Sequence, residues 1–259
     1  MSILQTAERS SHLDLSENVI FQRHMIAYLE ASKMISGKVL EIGCGEGYGL
    51  IELAPKTEEY IAIDKYNTPI SNEIKQKNNI KFKQMEVPPL EGVNENSIDF
   101  IITFQVIEHI NNDRLFISEI FRVLKPGGKL ILTTPNKLMS LTRNPWHIRE
   151  YNPIQMREIL QTSTFSNIDI KGIFGLGKAM EYYEMNKKSV EKITRFDIFN
   201  LQYILPRFLL QVPYDIFNRF NRHKLKNTNN ELVKNITIDD FSIDQLSDSC
   251  FDYFCVATK

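Results

Sequence analysis

The sequence predicts an α/β fold, a mostly parallel sheet with helices on both faces, and three observations predict it. Short apolar runs alternate with stretches of helical spacing from residue 38 to about residue 173. The first run, Lys38 to Ile42, breaks into glycines at 43, 45, 47 and 49. The second, Tyr60 to Ile63, ends in Asp64, twenty-one residues after Gly43. Glycine lets a chain turn sharply and approach a ligand with no Cβ in the way. An acidic residue at the tip of the second strand can accept hydrogen bonds from both hydroxyls of a ribose. Together they predict a nucleoside cofactor lying across the ends of two adjacent parallel strands.

The elements follow in order. Residues 1–15 read as loosely ordered. Ser16 or Glu17 starts a helix to about Ser36, so that 16–37 forms an N-terminal cap; its stripe holds Ile20, Ala27, Ala31, Met34 and Ile35. His24 and Tyr28 share that stripe, four residues apart. Strand one (38–42) leads to a helix at about 47–54, and strand two (60–63) to Pro69–Lys77. Strand three (79–84) is followed by Pro88-Pro89, and strand four (98–103) by a helix from Asp113 to Leu124. That helix carries Phe116, Ile120, Val123 and Leu124 at helical spacing. Lys125-Pro-Gly-Gly stops it, because Pro breaks a helix and Gly supplies the left-handed turn. Strand five is Lys129–Thr134. A helix (153–162) and a strand (167–173) complete a cofactor-binding core over 38–175. Residues 176–246 read as a helical insertion or lid, and 247–259 as the final strand, centred on Phe251–Thr258. The chain reads as one domain over 1–259.

The glycine spacing narrows the cofactor. A dinucleotide fingerprint needs G-x-G-x-x-G, and the third glycine position here is Tyr48. No Lys-Ser or Lys-Thr follows, so a P-loop is excluded. Composition is that of an ordinary globular chain, 42% hydrophobic and 24% charged, and the formal charge of −1 gives no sign of a nucleic-acid partner. Cys44, Cys250 and Cys255 form no CxxC and no Cys/His group with zinc spacing, so no metal is expected. This cysteine usage points to a reducing, cytoplasmic setting. Met1 to Leu15 lacks the apolar core of a signal peptide, and no apolar run approaches a membrane span.

Downstream motifs complete the pattern: Met85-Glu86, Asp99-Phe-Ile-Ile-Thr-Phe-Gln-Val-Ile-Glu-His109, Arg122-Val-Leu-Lys-Pro-Gly-Gly128 and Leu130-Ile-Leu-Thr-Thr-Pro-Asn136. In this order they resemble the class I S-adenosylmethionine (SAM)-dependent methyltransferases, in particular the small-molecule group with Glu-His after the fourth strand. The resemblance covers about 19–173 and returns at 250–258. It implies a Rossmann-like, seven-stranded sheet whose last strand is antiparallel, with SAM as methyl donor and S-adenosylhomocysteine as product. It also implies that Glu41, Gly43, Cys44, Gly45 and Gly47 meet the aminoacid end of SAM. Asp64, with Lys65 beside it, would hold the ribose. Met85 would pack on the adenine, and Glu86 would face its amine where the family usually has Asp. Phe104 and Gln105 would line the methyl region. Similar proteins use the N-terminal helix to cover the cofactor mouth, and Tyr28 on that helix is a candidate substrate contact.

Methyl transfer from a sulfonium is an in-line displacement, so the protein mainly aligns the acceptor. An oxygen acceptor must also lose a proton, and histidine exchanges protons near neutrality. His109, after strand four, and His147, after strand five, both come from the carboxyl edge of the sheet and are the two candidates. In similar proteins the Glu108-His109 pair often fixes its own loop. Arg149, Glu150 and Tyr151 place a cation, an anion and a phenol beside His147, a mixture suited to a polar substrate and equally to a salt-bridged surface strip. The Pro145–Tyr151 segment looks like one in methyltransferases linked to bacterial surface-glycan synthesis. The acceptor expected is a small molecule, an oxygen of a sugar, glycolipid intermediate or phenolic compound.

Within the insertion, Phe196 to Phe220 is rich in aromatics and Leu/Ile, and Arg219, Arg222, Lys224 and Lys226 follow. It reads as a lid or dimer surface, or as peripheral contact with a lipid membrane through 196–226. Two rivals stay open: a non-catalytic SAM-fold binding module, and an NAD-dependent oxidoreductase, which the misplaced third glycine disfavours. Strand four is followed by no Asn-Pro-Pro-Tyr or Asp-Pro-Pro-Tyr, which disfavours methylation of nucleic-acid bases.

Overall fold

The computed structural model describes residues 14–67, 79–197 and 199–259. Of the expected loose N-terminus, residues 1–13 with His12 lie outside the described residues, as does the Pro69–Lys77 segment, while Asp14 caps a 3-10 turn over Leu15–Glu17. The described strands are β1 (Lys38–Ile42), β2 (Glu59–Asp64), β3 (Ile80–Gln84), β4 (Ile98–Phe104), β5 (Leu124–Pro135), β6 (Ile168–Gly175), β7 (Phe241–Gln245) and β8 (Asp252–Thr258). They form one eight-stranded sheet in the order β3-β2-β1-β4-β5-β8-β6-β7. Pairing is parallel from β3 through β5 and antiparallel where β8 meets β5 and β6, and where β7 meets β6. The sheet thus has the expected mixed architecture with one strand more than expected. That strand, β7, lies inside the stretch read as insertion, and its Ile243 pairs with Ile173 of β6.

The described helices are α1 (Asn18–Ala31), α2 (Tyr48–Glu52), α3 (Asp113–Val123), α4 (Pro153–Gln161), α5 (Gly177–Thr194), α6 (Leu201–Ile204), α7 (Arg207–Thr228) and α8 (Asn230–Lys234). On one face of the sheet, Phe116, Ile117 and Ile120 of α3 and Met156 and Leu160 of α4 pack on Leu40, Ile101 and Leu130. On the other face, Ala27 and Ala31 of α1 and Leu50 of α2 pack on Val39, Ala62 and Ile102. Each fully buried Leu, Ile or Phe contributes roughly 1.5–3 kcal/mol, so the strands that carry the glycine loop and Asp64 rest on both halves of the core.

Local signals fix the ends that matter. The Asn112 side chain accepts from Leu115 N and caps α3. Asn152 and Gln155 form a reciprocal capping box on α4, with Pro153 at its first position. Asp99 ties β1 to β4, accepting from Lys38 N at 2.9 Å and from the Lys125 ammonium at 2.7 Å. The result aligns the carboxyl ends of β1, β2, β3 and β4 along one edge.

Candidate functional site

The glycine loop is built by left-handed backbone. Gly43, Gly45 and Gly47 have φ of 81°, 52° and 87°, a region costly for residues with a Cβ. The loop closes on the next strand, with Gly43 N and Cys44 N both donating to Ile63 O, at 2.7 and 3.1 Å. A Cβ on Gly43 would lie 2.3 Å from Val106 Cγ2, whereas one on Gly45 would meet nothing within 4 Å. Gly43 is therefore a packing necessity and Gly45 borders open space. Asp64 ends β2 beside the loop, and its carboxylate accepts from Gly45 N at 2.9 Å and Tyr66 N at 2.8 Å.

A cleft of about 450 Å³ opens along this edge. Gly43, Cys44 and Gly45 line it from the loop, and Asp64 and Lys65 from the end of β2. Met85 and Glu86 line it after β3, where Met85 N donates to Asp64 O at 2.9 Å. Phe104 and Gln105 line it at the end of β4. Gln105 sits at φ 56°, held by its N donating to Thr133 O at 2.9 Å and its amide to Thr133 Oγ1 at 3.3 Å. Tyr28 and His24 border the cleft from α1, with the Tyr28 ring edge-on to Phe104 at 4.9 Å. Tyr48, Tyr66, Pro88, Asn112 and Trp146 also line it, and the sequence assigned none of these five to the site. The doublet Tyr48 and Tyr66, each next to a residue already singled out, was the signal available.

Two members of the expected cofactor set are not among the residues that line the cleft. Gly47 is outside the cleft lining and is the left-handed N-cap of α2. Glu41 is also outside the lining and is buried, its carboxylate accepting from Tyr28 OH and Tyr60 OH, each at 2.8 Å. Gly49 makes room for that pair: a Cβ there would lie 2.5 Å from Glu41 Oε1. Burial pushes the Glu41 carboxyl up to about 7, against the two phenol hydrogen bonds that pull it down and with Asp64 repulsion adding to the rise. Glu41 thus supports Tyr28 from beneath the cleft.

His109 and His147 meet edge-on with ring centroids 5.0 Å apart, but only His109 lines the cleft. Nδ1 of His109 lies 3.0 Å from Trp146 O. A carbonyl only accepts, so Nδ1 carries the hydrogen, and in the neutral ring Nε2 carries the lone pair. His147 is held at both nitrogens, Nδ1 to Glu150 Oε1 at 2.6 Å and Nε2 to the Asn144 amide at 2.9 Å. Both ring nitrogens of His147 are thus engaged within its own strip. Glu108 is buried and accepts at Oε2 from Thr134 Oγ1 at 2.9 Å, while its backbone carbonyl accepts from Ile148 N and Arg149 N. Burial pushes the Glu108 carboxyl up, and the two histidines pull it down. Glu108, His109 and His147 can bring one ligand atom each within 4.8 Å of one another. His147 would have to surrender Glu150 or Asn144 to lend a nitrogen to an ion.

Arg149 and Tyr151, expected at the substrate, are not among the residues that line the cleft. Both bind Asp113 at the start of α3, Arg149 by an ion pair and Tyr151 OH by a 2.9 Å hydrogen bond. Tyr151 is 1% exposed, so apolar packing draws it into the core and Asp113 satisfies its hydroxyl.

The edge suits SAM on its own terms. Gly45 leaves space where a bound group approaches the backbone, Asp64 presents a carboxylate at the second strand end, and Met85 offers a thioether surface to a ring. A mostly parallel sheet with this edge, a glycine loop without the dinucleotide glycine, and a histidine on the cleft lining define a SAM-dependent methyltransferase. The chain belongs to the methyltransferase domain family, whose model matches residues 19–170. A probable S-adenosylmethionine-dependent methyltransferase of Mycolicibacterium smegmatis is 34% identical over 181 residues, 67% of this chain and 70% of that protein. A ubiquinone biosynthesis O-methyltransferase of Rickettsia typhi is 28% identical over 172 residues, 61% of this chain and 69% of that protein. Among solved structures, a SAM-dependent methyltransferase from Archaeoglobus fulgidus matches 93% of this chain and 94% of its own with a TM-score of 0.51 at 14% identity; that likeness speaks to the fold.

Proposed function

We propose that this enzyme methylates an oxygen of a small molecule, with His109 taking the acceptor's proton. The observation that carries the reading is the His109 ring, which borders the cleft with its Nδ1 hydrogen directed at Trp146 O. That hydrogen bond leaves the basic lone pair on Nε2. Bound SAM supplies an electrophilic methyl group. Gly43, Cys44 and Gly45 border its aminoacid end and Asp64 accepts from its ribose hydroxyls. Met85 and Glu86 receive the adenine. Phe104 and Tyr28 wall the methyl region and keep water out, and Gln105 contributes an amide fixed by Thr133. Glu41 acts as a positioning residue through Tyr28. The named activity of the Rickettsia typhi relative, an O-methyltransferase, supports an oxygen acceptor. A sugar, a glycolipid intermediate and a phenol are the acceptors in view.

The test has two parts. Labelled SAM and a metabolite extract, followed by mass spectrometry, identify the methylated product. His109→Gln should then lower kcat by about 10²–10⁴-fold, with SAM affinity by calorimetry retained. Full turnover by His109→Gln would remove the base from the proposal. A folded protein that binds neither SAM nor S-adenosylhomocysteine would remove the cofactor site.

A further inference from the structure

Helix α7 is turned the unusual way round. Phe208, Leu209, Val212, Ile216, Phe217 and Phe220 fall on one face at helical spacing, and each is 50–69% exposed. An apolar stripe of this kind ordinarily faces the core. Here the opposite face packs inward, and beside buried Leu225 it carries polar side chains that find specific partners. Asn221 is buried and bonds α5 twice, its amide donating to Asn186 Oδ1 at 2.7 Å and its oxygen accepting from Ser189 Oγ at 2.6 Å. Arg222 pairs with Glu17 at 3.8 Å. Asp215 accepts from Trp146 Nε1 at 2.9 Å. These partners fix the rotation of the helix, so the apolar side is held outward.

The preceding segment adds Phe196 and Phe199, 79% and 75% exposed. Large apolar side chains left exposed in such number mark an interaction site. Its charge says what kind. Residues 195–226 carry six Lys/Arg and two Asp, a formal +4 within a chain of −1. The outward face itself passes from Phe220 to exposed His223 and Lys224. An isologous pair of copies would bring two such basic segments together. A surface that is apolar below and anionic above complements both features. Among the described residues no helix is long and apolar enough to cross a membrane.

We propose that the 196–226 segment docks this protein on the surface of an anionic lipid bilayer, with the α7 stripe entering the interface and the basic end meeting the headgroups. The docked segment is joined to the cleft: Arg207 donates to His147 O at 3.3 Å, Arg143 donates to the carbonyls of Gln202 and Leu205, and Asp215 holds the indole of cleft-lining Trp146. An acceptor resident in the lipid would therefore arrive beside the site.

The test is co-sedimentation of the full chain with vesicles of phosphatidylcholine alone and of phosphatidylcholine mixed with phosphatidylglycerol. The protein should pellet with the mixed vesicles at low salt and be released as salt rises. Phe208→Ser/Phe217→Ser/Phe220→Ser should weaken pelleting by about tenfold or more, with circular dichroism unchanged. Lys224→Glu, which leaves the stripe intact, should weaken binding to the mixed vesicles by about tenfold and leave binding to phosphatidylcholine alone unchanged. Failure of the wild type to pellet at low salt would overturn the proposal, as would equal pelleting by the triple variant. Light scattering that shows a wild-type dimer split by the triple variant would assign the stripe to a second copy instead.

Discussion

Replacing Glu41 by Gln should change how stability depends on pH, in a direction the site dictates. The Glu41 carboxyl is buried, and burial raises it from the ordinary 4.5 to about 7. The folded state therefore holds this proton more tightly than the unfolded chain does. The stabilisation associated with the proton is fully present below about pH 4.5 and is lost as pH rises through about 7. At about 1.4 kcal/mol per pH unit, the gap between 4.5 and about 7 amounts to about 3 kcal/mol. Gln keeps the shape, accepts from one phenol and donates to the other, and has no proton to lose. Denaturant midpoints measured for both proteins from about pH 4.5 to about pH 8 give the difference free of every other titrating group. Relative to Glu41→Gln, the wild type should lose about 3 kcal/mol across that window, most of it before pH 7. A difference that stays flat, or that grows in favour of the wild type with rising pH, would show that the carboxylate is ionised in the fold and the burial argument wrong.

Two further outcomes are expected. Asp64→Ala should weaken SAM binding by about 1–3 kcal/mol through lost charged hydrogen bonds, read by isothermal titration, and an unchanged affinity would place the ribose elsewhere. Gly43→Ala should cost about 2–4 kcal/mol in thermal unfolding, because left-handed backbone and a 2.3 Å approach to Val106 both oppose a Cβ; adding Val106→Ala should recover the steric part only, and full recovery would mean the backbone strain is negligible.

What the sequence revealed follows the range of the forces involved. The glycine loop, Asp64 and the span of α3 rest on contacts within a few residues or on strand ends, and periodicity or glycine content announces them. The hydrogen bonds of Glu41 were not legible because its partners, Tyr28 and Tyr60, lie 13 and 19 residues away on different elements. Those of Tyr151 and Arg149 were hidden for the same reason, since Asp113 is 38 and 36 residues off. Strand β7 was hidden because Phe-Ser-Ile-Asp-Gln is short and its pairing with β6 spans the whole of α5–α8. In α7 the richness in aromatics and Leu/Ile was visible, but composition alone does not say which side faces out. Asn221, Asp215 and Arg222 settle that, and their partners are all distant in sequence.

The position of β8 bears on how this chain is made. It lies between β5 and β6 and hydrogen-bonds both, yet both of its neighbours are synthesised before it. Until residues 252–258 leave the ribosome, β5 and β6 each present an unpaired edge, the kind of surface that recruits stray strands. The cofactor edge, by contrast, is assembled from β1 to β4 and can be in place much earlier. Vectorial synthesis thus yields a half-sheet bearing the nucleoside site first, and the seam through its middle closes last.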